Sequence, residues 1–79
     1  MPKKYLSRII VNPRFLAGKP VIKGTRIPVD LILKLLAQGE EIADLLMDYP
    51  NLTKDDVRAA LWYGSEVVRS EEVFPLFAK

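Results

Sequence analysis

Apolar residues change their spacing along the chain, and the change divides it into a β-rich start and a helical remainder. Residues 8–11, Arg-Ile-Ile-Val, form a short β-branched run. Asn12-Pro13 ends it, since proline lacks the N–H that a strand ladder needs. Residues 14–24 read as a loop punctuated by Gly18, Pro20 and Gly24. The β-branched runs Val21-Ile22 and Thr25-Arg26-Ile27 are expected to pair back onto 8–11, giving a small hairpin or ribbon.

Helical spacing starts at Val29. A first helix is predicted over 29–38, with Pro28 at its start, Asp30 near the positive end of its dipole and Gly39 just past its end. It is apolar almost all round (Leu31, Ile32, Leu33, Leu35, Leu36, Ala37), which points to a second chain covering part of it. A second helix, from Glu40 or Glu41 to about Tyr49, carries Ile42, Leu45, Leu46 and Tyr49 as one stripe. Pro50-Asn51-Leu52 is a tight connection, and Thr53-Lys54-Asp55-Asp56 is a capping box that opens a third helix reaching about Arg69. Val57, Ala60, Leu61, Gly64 and Val67/Val68 are expected along one face of that helix. The fold class is therefore mainly α: a three-helix helix-turn-helix core, homeodomain-like or winged, preceded by a short N-terminal β-hairpin. All of it fits one domain over 1–79: a β-ribbon at about 8–28, a trihelical core at about 29–69 and a tail at 70–79.

Charge sharpens this division. The net charge of +2 conceals an asymmetry: the first 26 residues hold Lys3, Lys4, Arg8, Arg14, Lys19, Lys23 and Arg26 without one acid. From Asp30 onward five basic residues face ten acids. A one-sign segment suits nucleic acid or an acidic partner surface, although charge runs also serve simply to solvate a face.

In the helical part, Glu41-Ile42-Ala43-Asp44-Leu45-Leu46, then Leu52-Thr53, Val57-Arg58 and Leu61, have the pattern of a helix bracing a capped recognition helix. Asn51, Lys54, Asp55 and Arg58 would point outward, with Arg58 suited to a guanine edge or a phosphate. Together with Lys19, Lys23 and Arg26 of the ribbon, Asn51, Lys54 and Arg58 are the candidate nucleic-acid-binding residues. Two features argue the other way: Asp55 and Asp56 would repel phosphate, and two packed helices are ordinary scaffolding. Leu31, Leu35 and Trp62 are candidates for a homodimer interface. The apolar tail residues Phe74, Leu76 and Phe77 are candidates either for binding a partner or for packing on the third helix or a dimer mate.

Other chemistry finds little support. No cysteine or histidine is present, so disulfides, thiolate metal sites and the commonest general base are excluded. Gly18-Lys19 is followed by Pro20 rather than Ser or Thr and lacks the earlier glycine of a phosphate loop. Asp55 and Asp56 are adjacent on a helix and point about 100° apart, which suits dipole compensation rather than a carboxylate pair. The expectation is a non-enzyme without cofactor or metal. With no signal-like segment or membrane-length apolar run, it is expected to be cytoplasmic.

The run Gly18-Lys19-Pro20-Val21-Ile22-Lys23-Gly24-Thr25-Arg26-Ile27-Pro28-Val29, followed by Glu41-Ile42, Asp48-Tyr49-Pro50-Asn51-Leu52-Thr53, Asp56-Val57 and Ala59-Ala60-Leu61, resembles the domain-of-unknown-function 433 family. The resemblance covers about 8–68. It implies a small prokaryotic helix-turn-helix protein, homeodomain-like or winged. It also implies an antitoxin of a type II toxin–antitoxin pair, binding a PIN-like nuclease toxin and double-stranded DNA, often as a dimer. The alternative is a protein-interaction module without DNA binding, whose basic segment blocks an acidic partner site.

Overall fold

The computed structural model describes residues 3–14 and 16–70. The chain opens with a four-residue helix α1 (Lys3–Leu6), continues into strand β1 (Ile9–Val11), a 3-10 turn at Leu16–Gly18 and strand β2 (Pro20–Ile22). Three longer helices follow: α2 (Val29–Ala37), α3 (Ile42–Asp48) and α4 (Lys54–Ser70). The observed architecture is thus the expected one, a helical core behind a two-stranded antiparallel hairpin. The addition is α1, which no apolar period announced.

The hairpin pairs Ile9 with Ile22, Ile10 with Val21 and Val11 with Pro20. Thr25-Arg26-Ile27 does not return to β1 as expected. It forms the outer side of a tight turn on β2 instead: the Ile22 N–H donates to the Ile27 carbonyl and the Thr25 N–H to the Ile22 carbonyl, both at 3.0 Å. Gly24 sits inside this turn at φ +80°, where a side chain would be strained. The Thr25 hydroxyl donates to the Ile22 carbonyl at 2.8 Å and accepts from the Ile27 N–H at 3.0 Å. A bridge from Val21 to Pro28 then delivers the chain to α2. The glycine-threonine-arginine-isoleucine-proline run is a device for turning a strand into a helix start.

At the far end of α2, the Gly39 N–H donates to the Leu36 carbonyl and the Glu40 N–H to the Leu35 carbonyl. That reversal satisfies the last carbonyls of the helix. The core gathers Ile22 from β2, Val29 and Ile32 from α2, Leu45 from α3, Leu52 from the following connection, and Val57 and Ala60 from α4. Leu33, Leu35, Leu36, Leu46 and Tyr49 pack around it. On α2 itself Val29 and Ile32 are buried, while Leu31, Leu33, Leu35 and Leu36 are half-buried. Other positions depart from expectation: Ile42 at the start of α3 and Leu61, Val67 and Val68 on α4 are exposed. On α4 the buried positions are Asp56, Val57, Ala59 and Ala60, and α1 and β1 pack on this helix as well as α2 and α3. The most extensive helix packing is that of α2 against α4. It is close at Gly64, where even a Cβ would stand 2.9 Å from Leu33 Cδ1.

Candidate functional site

The start of α4 is where charge, capping and the hairpin meet. The Asp56 N–H donates to Thr53 Oγ1 at 3.1 Å, and the Thr53 N–H donates to Asp56 Oδ2 at 3.0 Å. Both hydrogen bonds of the expected capping box are therefore made, and they satisfy two N–H groups at the entry to α4. The other oxygen of Asp56 accepts from Arg8 Nη1 at 2.9 Å. Arg8 Nη2 lies 3.7 Å from Asp55 Oδ2, and Arg58 Nη1 lies 3.9 Å from Asp55 Oδ1. Asp56 is almost fully buried, so this carboxylate is held by a cap on one side and a guanidinium on the other.

Arg8 belongs to the segment just before β1, and its main-chain carbonyl accepts from the Lys23 N–H at 2.7 Å. The contacts thus run continuously from Lys23 through Arg8 and Asp55 to Arg58. Lys54 and Arg58 also line a shallow groove of about 390 Å3 with Glu41, Ile42 and Ala43 at the entry to α3. The exposure of Ile42 is explained by this position at the groove wall.

Of the residues singled out in the sequence, Lys23, Arg26, Asn51, Lys54 and Arg58 are all exposed. Lys23, Lys54 and Arg58 belong to the region joined by Arg8. Asn51 stands in the turn that precedes the capping box, closed by the Leu52 N–H donating to the Tyr49 carbonyl at 2.9 Å. Lys19 is elsewhere: its ammonium lies 3.2 Å from Asp30 Oδ2 at the start of α2. That pair is exposed on both sides and correspondingly weak.

Leu31 is half-buried, Leu35 packs against the core of its own chain, and Trp62 is 37% exposed with its ring 6.5 Å from that of Tyr5. The tail residues Phe74, Leu76 and Phe77 lie outside the described residues. Sequence reasoning counted Arg8 only as part of a basic run and did not single it out. Its one local signal was its place next to a β-branched run, which does not reveal a partner 48 positions away.

Among the described residues, no group of three or more histidine, cysteine, aspartate or glutamate side chains could hold a metal ion. Nor is any described helix long and apolar enough to cross a membrane.

Comparisons with known proteins agree with this geometry in extent. An uncharacterized protein of Sinorhizobium fredii, y4eO, is 35% identical over 53 residues, 67% of this chain and 24% of that protein. This chain therefore spans about a quarter of that relative's length. An uncharacterized protein of Archaeoglobus fulgidus is 50% identical over 30 residues, 38% of this chain and 83% of its own. The crystal structure of a DUF433 member from Anabaena variabilis superposes with a TM-score of 0.72 at 28% identity, covering 84% of this chain and 76% of that one. The family model described as protein of unknown function (DUF433) matches residues 9–63, the span from the first residue of β1 to Tyr63 within α4. The chain belongs to the DUF433 family.

Proposed function

We propose that the protein is a DNA-binding antitoxin that grips duplex DNA with the start of α4 and the adjoining hairpin turn. One observation carries the DNA reading: the carboxylates that open α4 are already engaged. Asp56 is buried under Arg8 and its own cap, and Asp55 lies between Arg8 and Arg58. The repulsion that two aspartates would direct at phosphate is thereby compensated from the hairpin. Lys23 and Lys54 make no ion pair among the described residues, so they add positive charge on either side. A capped helix start flanked by cations suits a phosphate backbone. In this reading Lys54, Arg58 and Asn51 approach the groove and Lys23 and Arg26 the backbone, while Lys19 is available once phosphate competes for it with Asp30. The antitoxin half is supported by the family resemblance: the partner it implies is a PIN-like nuclease toxin, and the assembly a homodimer.

The test is fluorescence anisotropy against duplex DNA from upstream of the gene, across a salt series, with and without the product of the adjacent gene. Binding is expected to fall with salt. In a Lys54→Ala/Arg58→Ala variant the slope of log affinity against log salt should shrink by about 0.9 for each phosphate no longer neutralised. No duplex binding in either condition overturns the DNA reading. Capture of the neighbouring protein without DNA binding would assign the basic segment to an acidic partner surface instead.

A further inference from the structure

A second groove, of about 260 Å3, lies between the start of α2 and the last two turns of α4. Leu33, Tyr63, Gly64, Val67 and Val68 form its floor and lip, and its one ionisable wall residue besides Tyr63, Asp30, is turned to Lys19. Val67 and Val68 are 38% and 63% exposed there, at a site where an ordinary helical face would be polar. The volume is below the roughly 300–1,000 Å3 of small-molecule sites and suits one or two apolar side chains.

We propose that this groove is the docking site of the chain's own residues 73–77, Val-Phe-Pro-Leu-Phe. Helix α4 is described as far as Ser70, two positions past the groove lip, and nine more residues follow in the sequence. Pro75 excludes an interior helical turn and biases Phe74 to an extended backbone. An extended five-residue segment reaches roughly 16 Å, against about 7.5 Å along α4 from Tyr63 to Val68. A short reversal at 70–72 therefore suffices to lay the aromatic rings back along the groove. A second copy has the same tail to offer, but a tethered segment acts at an effective concentration in the millimolar range. The inference is independent of the DNA reading. A protein partner that takes Phe74 and Phe77 must first displace them.

The experiment is methyl-labelled NMR on the full chain. Nuclear Overhauser contacts are expected from the Phe74 or Phe77 rings to the Val67, Val68 and Leu33 methyls. The ring-current displacement of those methyls should disappear in Phe74→Ser/Phe77→Ser. In Val68→Asp, which changes the lip and leaves the core alone, amide exchange across 73–77 should rise about tenfold. Contacts seen only between differently labelled copies overturn the proposal in favour of exchange between two chains. Absence of contacts, with 73–77 exchanging at free-chain rates in the unaltered protein, overturns it altogether.

Discussion

The two ends of α4 solve the same problem, how a helix terminus meets its surroundings, by different means. At the Lys54 end the groups that cap the helix are polar and paired. Thr53 and Asp56 exchange hydrogen bonds, Arg8 crosses from the hairpin to the buried carboxylate, and Arg58 approaches Asp55 from within the helix. At the Ser70 end, Val67 and Val68 face outward over an apolar groove, and the polar contacts described beside them are local to the helix: the Arg69–Glu66 pair and the Ser70 hydroxyl donating to the Val67 carbonyl at 3.0 Å. Directional bonds with named partners fix the first end, leaving its cations turned outward. At the second end no such bond reaches another element among the described residues, and shape without cross-element bonds leaves an apolar surface that is indifferent to what covers it. The first end can therefore be specific for a charged ligand while the fold stays intact, whereas the second calls for more chain.

Substitutions should break this contrast unequally. Asp56→Ala removes the reciprocal cap and leaves Arg8 facing a buried, empty position. It should destabilise by about 3 kcal/mol in urea unfolding, and a loss below ~1 kcal/mol would mean that the hairpin does not depend on this carboxylate. Arg8→Ala should be milder, about 1–1.5 kcal/mol, because the guanidinium is partly solvated. Its more informative effect is on DNA: Asp55 loses a counter-charge, and duplex binding at low salt should weaken about two- to threefold although Arg8 itself need not touch the duplex. Unchanged binding in Arg8→Ala would separate the fold role of Arg8 from the proposed site.

At the other end, Gly64→Ala sets a helix-propensity gain of about 1 kcal/mol against displacement of the tip of Leu33. The melting temperature should move little, corresponding to a net change within about 1 kcal/mol. A loss of several kcal/mol would show that the α2–α4 crossing cannot relax. Smallest of all, Lys19→Ala should cost less than ~0.5 kcal/mol, and the difference should vanish in 1 M salt, where exposed pairs are screened.

Much of this frame was legible beforehand. The helix starts at Pro28 and Thr53, the reversal at Gly39 and the connection through Pro50-Asn51-Leu52 are local events, written in residues within one turn of each other. The pairing of 8–11 with Val21-Ile22 was legible too, since the intervening loop carries its own breaks. Less legible was where Thr25-Arg26-Ile27 would go: its β-branched pattern suits a strand, and a threonine hydroxyl bonding twice to the main chain made it a turn. The stripe on α4 was misjudged at Leu61, Val67 and Val68 for a related reason. The pattern assigns one face to the core, but α1 and β1 pack on this helix as well as α2 and α3, and Ala59 and Asp56 are among its buried positions.

By itself the sequence determined the three longer helices, their caps, the hairpin and the family, because these depend on backbone dihedrals and hydrogen bonds between near neighbours. Only the tertiary structure decided that Arg8 belongs to α4, that Asp55 and Asp56 are compensated, that Lys19 stands apart from the other cations, and that an apolar groove opens beside Gly64. Each of those is a contact between residues distant in the chain. Charge and apolarity announce that a side chain needs a partner; packing in three dimensions chooses which.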